Sequence, residues 1–320
     1  MEEFTFGMLT YNQEKYVFEH LESIRYQILN YGKDVKVYFV LSDDASKDNT
    51  VKYVEMWLET NKTLFAGVKI VAKESNDGIV QNFLTMLSNI HTSHYKILAG
   101  DDLYYRNNVF ELAKKGDFII TPTIYFDENR IVYGKKRDRY QILLLHQEKK
   151  NLKDYLAKRL RYSNCIDAPG VFVNRALITK GLVDELEKFQ WIEDAPMWNY
   201  LFNVAKVDVE LLQEPYILYR ADVGISKNKN HSARSRFEGD VRKIEKCIYV
   251  DKSRYPKIFN PHSYRYELER LMLKCYWDKN NKTLEHFKKI ILAEELEAEG
   301  YLAEIIQNAN EWKDKNLNSN

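Results

Sequence analysis

Short apolar segments alternate with segments of helical periodicity through the first third of the chain, and this alternation constrains the fold more than any other feature. The apolar segments span residues 4–10, 35–41, 68–72 and 96–99. The second is rich in β-branched residues and nearly continuous, which is typical of a strand covered on both faces. Between the segments, apolar residues recur at helical spacing. We therefore predict an α/β fold with a Rossmann-like, mostly parallel sheet flanked by helices.

The alternation becomes looser after residue 102. The pattern predicts helices near 109–114 and over 191–205, and strands over 117–121, 167–173 and 211–219. Residues 130–161 are charged and predict irregular structure. From about residue 235 the pattern is almost wholly helical, and we expect these C-terminal helices to dock on the core.

Composition argues against several classes of protein. The 320 residues contain 48 Lys and Arg against 47 Asp and Glu, so no overall positive charge favours a nucleic acid partner. The three cysteines, Cys165, Cys247 and Cys275, form no C-x-x-C pair, which fits a reducing compartment and argues against a zinc site. The sequence shows no signal-peptide pattern and no membrane-spanning run. We expect a soluble, cytoplasmic protein with at most peripheral membrane contact, and the sequence assigns no oligomeric state.

Two adjacent carboxylates, Asp101 and Asp102, follow the predicted strand at 96–99 and a glycine. Burying a carboxylate costs free energy, and two neighbours repel each other, so such a pair at a strand tip needs a compensating cation. A divalent metal that also binds a phosphate is a common answer, since hard cations take oxygen ligands. Asp-Asp pairs also occur in turns and helix caps, so the pair taken alone leaves both interpretations open.

Polar residues follow two further predicted strands, and ligands of open parallel sheets bind at the carboxyl ends of strands. An aromatic ring there can stack on a base, while carboxylates can accept from a base or ribose and hold the metal that bridges a diphosphate. The chain has no G-x-x-x-x-G-K-[ST] and no G-x-G-x-x-G, which argues against a P-loop and a dinucleotide oxidoreductase. The residues at these strand ends are Thr10, Tyr11, Asn12, Asp43, Asp44, Asp101 and Asp102.

The order of these motifs resembles the family 2 glycosyltransferases with the GT-A fold. The most specific piece is S-D-D-x-S-x-D-N-T at residues 42–50, and its spacing to T-Y-N at 10–12 and A-G-D-D at 99–102 also matches. Residues 168–172 resemble the acceptor-side loop of that family, Trp191 to Asp194 its Glu-Asp motif, and residues 219–226 its late Tyr-Arg stretch. The resemblance covers roughly residues 4–226.

The resemblance implies a role for each matching residue. Asp194 would be the general base that deprotonates the acceptor hydroxyl, and Glu193 would help to position it or the sugar. Asp102, with Asp222 as a further candidate, would ligate Mn²⁺ or Mg²⁺. The residues implied in nucleotide binding are Thr10, Tyr11, Asn12, Asp44, Asn76, Gly78 and Asp101. Two positions depart from the family pattern: Ala99 stands where an acid is usual, and Asp222 where His is common.

The resemblance further implies an inverting, metal-dependent glycosyltransferase. It would move a sugar from a nucleotide-diphospho-sugar, typically UDP-linked, to a hydroxyl of a glycan or lipid-linked glycan in surface polysaccharide biosynthesis, at the inner face of the cell membrane. The expected domains are a GT-A domain over 1–230, with a nucleotide-sugar-binding half at 1–125 and an acceptor half at 126–230, and a helical extension over 231–320. Two alternatives remain: a non-catalytic nucleotide-sugar-binding module, and a nucleotidyltransferase, although the latter typically needs a Gly-rich basic loop after the first strand.

Basic residues are concentrated between Lys135 and Arg161. A solvated helix face is one explanation. The other is a patch that faces anionic lipid or a lipid-pyrophosphate acceptor, because clustered Lys and Arg bind anionic headgroups.

Overall fold

A four-stranded parallel sheet forms the N-terminal half of the computed structural model, which describes residues 2–221, 223, 231–250, 268, 271 and 281–317. Helices cover the sheet, and the predicted βαβ alternation is confirmed. The sequence order of the elements is β1 (Glu2–Thr10), α1 (Val17–Tyr31), β2 (Val35–Asp43), α2 (Thr50–Asn61), β3 (Gly67–Ala72), α3 (Ile79–Asn89) and β4 (His94–Ala99).

The order of strands across this sheet reverses beside β1. The spatial order is β3-β2-β1-β4, so the chain runs outward from β1 to β3 and then returns through α3 to the other side of β1. Parallel pairing aligns Thr10 with Asp43 and Leu9 with Ala99. The ends of β1, β2 and β4 therefore meet at one edge, at the switch point where such sheets bind ligands.

The next part of the chain forms two small mixed sheets. Their strands are β5 (Leu103–Tyr104), β6 (Phe118–Ile120), β7 (Thr123–Asp127), β8 (Arg130–Val132), β9 (Val171–Val173), β10 (Glu210–Leu211) and β11 (Ile217–Arg220). The spatial order is β10-β6-β9 in one sheet and β5-β11-β7-β8 in the other. The helices of this part are α4 (Arg137–Glu148), α5 (Leu152–Leu160), α6 (Lys180–Leu186) and α7 (Asp194–Asn199), the last continued by a π-helical turn at Tyr200–Ala205.

Several predictions for this second part were wrong in detail. Residues 130–161 are not irregular: they hold β8, α4 and α5, and α4 hides its helical period because residues 140–145 are all buried. The strand expected at 167–173 begins only at Val171, since Pro169 lies in a 3-10 turn. Pro215 separates β10 from β11, since proline cannot donate a ladder hydrogen bond. The helix expected at 191–205 begins at Asp194, and residues 109–114 form a 3-10 helix. The sequence did not predict β7.

In the described part of the C-terminal region the helices are α8 (His231–Cys247) and α9 (Lys282–Leu317). The expected docking is confirmed for α9, because Phe287 and Leu302 lie in the core of the second part and the Trp312 ring lies 4.8 Å from that of Phe18 in α1. Tyr301 Oη donates to the carbonyl of Tyr104 at 2.7 Å. The domain boundary at residue 230 stays a prediction. In the described ranges, no helix combines the length and the apolar character needed to cross a bilayer.

Candidate active site

A pocket of about 1080 Å³ lies over the carboxyl edge of the parallel sheet. Loop 164–169 and the start of α7 form its opposite wall. Of the predicted residues, Gly78 is not in the wall of this pocket, and Asp222 lies outside the described residues. The predicted residues in the wall are Thr10, Tyr11, Asn12, Asp44, Asn76, Asp101, Asp102, Glu193 and Asp194.

The loops after β1 and β2 hold each other in place. Asp43 accepts from Thr10 Oγ1 at 2.6 Å and from the Ser46 amide at 2.8 Å, which makes it a turn-forming residue. The Asn12 side chain accepts from the backbone of the β2–α2 loop, at Lys47. Thr10 and Asn12 thus shape the edge of the pocket, while the Tyr11 side chain is 45% exposed and available for stacking.

Asp44 organises the loop after β3. Its oxygens accept from Lys73 Nζ at 3.2 Å, from the Asp77 amide at 3.1 Å and from the Gly78 amide at 3.0 Å. These bonds fix the loop that brings Asn76 to the pocket. Asp44 is buried, so its predicted contact with a base would add to a carboxylate that already accepts three hydrogen bonds.

Gly78 lies behind the wall of the pocket, beside the backbone of Gln190. Its φ of +95° favours glycine, and a Cβ there would lie 2.6 Å from the backbone oxygen of Gln190. That oxygen accepts from the Val80 amide at 3.1 Å. On the other side, Asp240 of α8 accepts from the amides of Gln190 at 2.8 Å and Trp191 at 2.6 Å. The segment that leads into the Glu-Asp motif is therefore anchored from both sides.

Asp101 and Asp102 are buried at the tip of β4, where they line the pocket. Burial raises the pKa of both carboxyls, and the neighbouring Asp101 raises that of Asp102 further. A Cβ at Gly100 would lie 2.8 Å from both Gln13 Oε1 and Met8 Cε, so glycine permits the close approach of this turn to β1. The pair thus carries electrostatic strain that a bound cation would relieve.

Arg220, at the end of β11, clamps this acidic pair. Its amide donates to Asp102 Oδ1 and its Nε donates to the Asp101 carbonyl, both at 2.9 Å. Its guanidinium pairs with Glu19 and lies 4.4 Å from the ring centres of Tyr16 and Phe126. The sequence placed Arg220 in the late Tyr-Arg motif but assigned it no role. The signal in the sequence that could have indicated a role is a charged residue at the end of an apolar strand.

Glu193 and Asp194 line the same pocket as Asp101 and Asp102. Burial raises the pKa of both carboxyls, and with the charge of Asp194 it raises the pKa of Glu193 to about 8. Two hydrogen bonds at 2.6 Å, from the Ala195 amide and from Asn164 Nδ2, favour the charged form of Asp194. Near neutral pH, Asp194 is therefore the member of the pair suited to act as a base.

Asn164 is a site residue that the sequence did not reveal. Its Oδ1 accepts from the Ile166 amide at 3.0 Å, which turns Nδ2 toward Asp194. Its own amide donates to Tyr249 Oη at 2.9 Å, in the segment after α8. These contacts join three distant parts of the chain, so no local motif marks them.

The basic residues between Lys135 and Arg161 do not share one face. Lys136 and Arg139 line the pocket. Arg137 pairs with the buried Glu295 of α9, and Lys153 pairs with the exposed Asp208 at 2.7 Å. Part of the window is thus structural, and part reaches the pocket.

The fold and the pocket define an α/β protein with a polar ligand site at the switch point of a parallel sheet. The model of the family described as Glycosyl transferase family 2 matches residues 5–177, which is more than half of the chain. The chain belongs to this family and is a glycosyltransferase, and the predicted α/β class, with a mostly parallel sheet flanked by helices, is confirmed. No curated protein matches the chain.

Among solved structures, the chain is similar to residues 1–349 of TarS from S. aureus in complex with UDP-GlcNAc, at 15% identity, with 97% of this chain and 82% of that chain covered and a TM-score of 0.48. It is also similar to the mannosyltransferase PcManGT from Pyrobaculum calidifontis in complex with GDP-Man and Mn²⁺, at 16% identity, 96% and 85% coverage and a TM-score of 0.47. Against a longer TarS structure, the match covers 79% of this chain and 43% of that chain, at 15% identity and a TM-score of 0.46.

Proposed function

We propose that this glycosyltransferase moves a sugar from a nucleotide-diphospho-sugar, UDP-linked, to a hydroxyl of a glycan or lipid-linked glycan, with inversion. The observation that carries the proposal is that two acidic pairs meet in one pocket. Asp101 and Asp102 come from a strand end, and Glu193 and Asp194 from a helix start on the opposite wall. One pair suits the donor and the other suits the acceptor hydroxyl.

The donor nucleotide would occupy the edge of the pocket formed by β1 and β2. Tyr11 has an exposed ring for stacking on the base. Asn76 Oδ1 has no hydrogen-bond partner among the described residues, so it can accept from a base N–H. Asp101 would accept from the ribose hydroxyls. Thr10, Asn12, Asp44 and Gly78 would hold the loops in which these groups lie.

The donor set suits a hard divalent cation. Asp102 offers carboxylate oxygens, and burial together with repulsion from the neighbouring Asp101 makes its charged state costly without a cation. Among the described residues no three acidic, His or Cys side chains cluster, so substrate oxygens and water would complete the shell of Mn²⁺ or Mg²⁺, and Asp222 remains a proposed ligand. When bound, the metal supplies charge neutralisation for the diphosphate leaving group.

Asp194 would take the proton of the acceptor hydroxyl while the oxygen of that hydroxyl attacks C1 of the donor sugar. The new C1–O bond forms on the face opposite the bond to the diphosphate, which breaks and releases the nucleoside diphosphate, so the configuration inverts. Asn164 keeps the base charged and oriented. Glu193, whose pKa is about 8, is largely protonated at neutral pH and can donate a hydrogen bond to the sugar or the acceptor.

The wider setting follows from the resemblance. We propose that residues 1–125 bind the nucleotide sugar and that residues 126–230 bind the acceptor. The reaction would serve surface polysaccharide biosynthesis in the cytoplasm, at the inner face of the membrane. The helical extension over 231–320 would support the site through α8, since Asp240 anchors the segment before Glu193.

A screen of nucleotide sugars by thermal unfolding, with and without Mn²⁺, tests the proposal. Ligands that bind only the folded state stabilise it, by about 2.7 kcal/mol at 100 times Kd. We expect a UDP-sugar to raise Tm by a few degrees in the presence of Mn²⁺, and Asp102→Asn to remove this dependence on metal. The exposed Asp208→Asn is the matched control. No shift with any nucleotide sugar and either metal would contradict the proposal.

A further inference from the structure

Two cations line the pocket beside loop 164–169, and we call this side of the pocket the acceptor wall. Lys136 and Arg139 line it, with side chains 39% and 42% exposed. Both approach one carboxylate, Asp167, at 3.0 Å and 3.8 Å. Two cations therefore share one carboxylate as their partner. A third cation, Lys135, lies over the ring of Tyr125 at 5.3 Å.

The groups around Asp167 form a polar site of defined shape. Tyr125 Oη donates to Asp167 Oδ2 at 2.9 Å, and the Tyr125 ring packs edge-on against Tyr219 at 5.3 Å. Lys136 adopts a left-handed conformation, with φ of +54°, at the residue before α4. Such backbone strain is common at ligand sites. Its ammonium group and the first turn of α4 thus lie at the same wall.

The same loop holds this site close to the proposed base. The Asn164 side chain donates a hydrogen bond to Asp194. Asp167 follows Asn164 by three residues, so the Cα atoms of Asn164 and Asp167 are at most about 11 Å apart. The negative charge of Asp167 also raises the pKa of Asp194, although burial raises it more. An acceptor that places a hydroxyl at Asp194 can therefore place a second group at Lys136 and Arg139.

We propose that Lys136 and Arg139 bind a phosphate of the acceptor, a phosphoester or a pyrophosphate carried near the attacking hydroxyl. Because the site serves the acceptor, this inference rests on the function proposed above. A phosphate oxygen replaces the Asp167 carboxylate as the partner of these cations, and the Arg139 fork suits two oxygens at once. Asp167 then competes with the ligand.

Calorimetric titration of the full chain with sn-glycerol 3-phosphate, in saturating UDP and Mn²⁺, tests the site without a known acceptor. UDP fills the donor site, so the probe reports the acceptor wall. We expect saturable binding that weakens with salt, at least tenfold weaker binding in the double variant K136Q/R139Q, and an unchanged affinity in K153Q. Lys153 is the matched control because it lies in the same basic window but pairs with Asp208.

A variant with a gain of binding separates the proposal from loss of folding. Asp167→Asn removes the competing carboxylate, so it should tighten binding of glycerol 3-phosphate several-fold. Equal binding by wild type and K136Q/R139Q, weaker binding by Asp167→Asn, or no binding of glycerol 3-phosphate by the wild type would overturn the proposal.

A second arm identifies the source of the phosphate. Co-sedimentation with phosphatidylcholine vesicles that contain phosphatidylglycerol should fall in K136Q/R139Q if a lipid headgroup supplies it, and should be unchanged if the phosphate belongs to a soluble acceptor. UDP affinity is measured in parallel. A wild type that does not bind UDP would contradict the proposed donor while the phosphate titration, repeated without UDP, still tests this wall.

Discussion

In the proposed donor half of the pocket, polar side chains lie at the ends of strands of one parallel sheet, whereas in the proposed acceptor half they come from loops and short helices that distant segments hold. Thr10 ends β1, and Asp44 and Asp101 follow β2 and β4, so the sheet itself brings them together. Asp194 is oriented by Asn164, 30 residues away. Function in the acceptor half thus depends on long-range contacts, which predicts different sensitivities of the two halves to substitution.

The largest expected effect separates chemistry from binding. Asp194→Asn should lower kcat by about 10²–10⁴-fold, because a positioned general base is lost. The Kd of UDP should not change, since the donor half is intact. Turnover and calorimetry measure the two quantities, with Asp208→Asn as the control. Unchanged turnover would refute the base assignment, and a wild type that binds but never turns over would favour a binding module.

Arg220 joins the two halves, and its loss should cost stability. Arg220→Gln leaves the Glu19 carboxylate and the Asp101 carbonyl without their buried guanidinium partner, so we expect the free energy of unfolding to fall by about 3–5 kcal/mol. The control Arg106→Gln breaks partly exposed pairs with Glu294 and Glu297 and should cost about 0–1 kcal/mol. Chemical denaturation measures both, and equal losses would mean that Arg220 does not bridge the halves.

Asn164 should change the pKa of the proposed base, Asp194, without being the base itself. Asn164→Ala removes a hydrogen bond to the charged form of Asp194, so the pKa of Asp194 rises and the acid limb of the pH profile of kcat moves to higher pH. On the acid limb of the profile we expect a loss of up to roughly tenfold, about one pKa unit, which shrinks as the pH rises above the limb. Asn203→Ala, which breaks a bond to Asn199, is the control. A lower kcat with an unmoved profile would indicate a merely structural role.

The smallest effect is a pH-dependent gain of stability. The pKa of Glu193 is raised from 4.5 to about 8, so the folded state holds a proton that the unfolded state releases between these values, and stability falls as pH rises through this window. Glu193→Gln should therefore unfold a few degrees higher than wild type at pH 9 and at the same temperature at pH 4. Scanning calorimetry at both values checks this, with the exposed Glu187→Gln as the charge control. A difference independent of pH would contradict the assignment.

The same contrast explains which parts of the structure were predictable. The strands and helices through β4 follow from period and composition, since a strand buried on both faces must be apolar throughout. In the second part, α4 escaped prediction because its buried face is continuous and charged residues surround it. Short strands such as β7 carry too few residues to show a period.

The candidate site divides along the same line. The acidic pair and the Thr-Tyr-Asn loop were readable because a strand end positions the residues that follow it in the chain. The role of Arg220 was not, because it depends on the pairing of β11 with β5 and β7. Asp43 could be told from Asp44 only by its hydrogen bonds to Thr10 and Ser46.

By itself the sequence determined the α/β class, the parallel sheet and the acidic residues at its edge, because local periodicity and the order of strands and helices limit the possible topologies. Only the tertiary structure showed that Asp194 of the Glu-Asp pair receives the hydrogen bond from Asn164 that favours its charged form. It also decided that Lys136 and Arg139, rather than the whole basic window, face the pocket. Burial, charge partners and hydrogen bonds arise between residues far apart in the chain, and no local pattern records them.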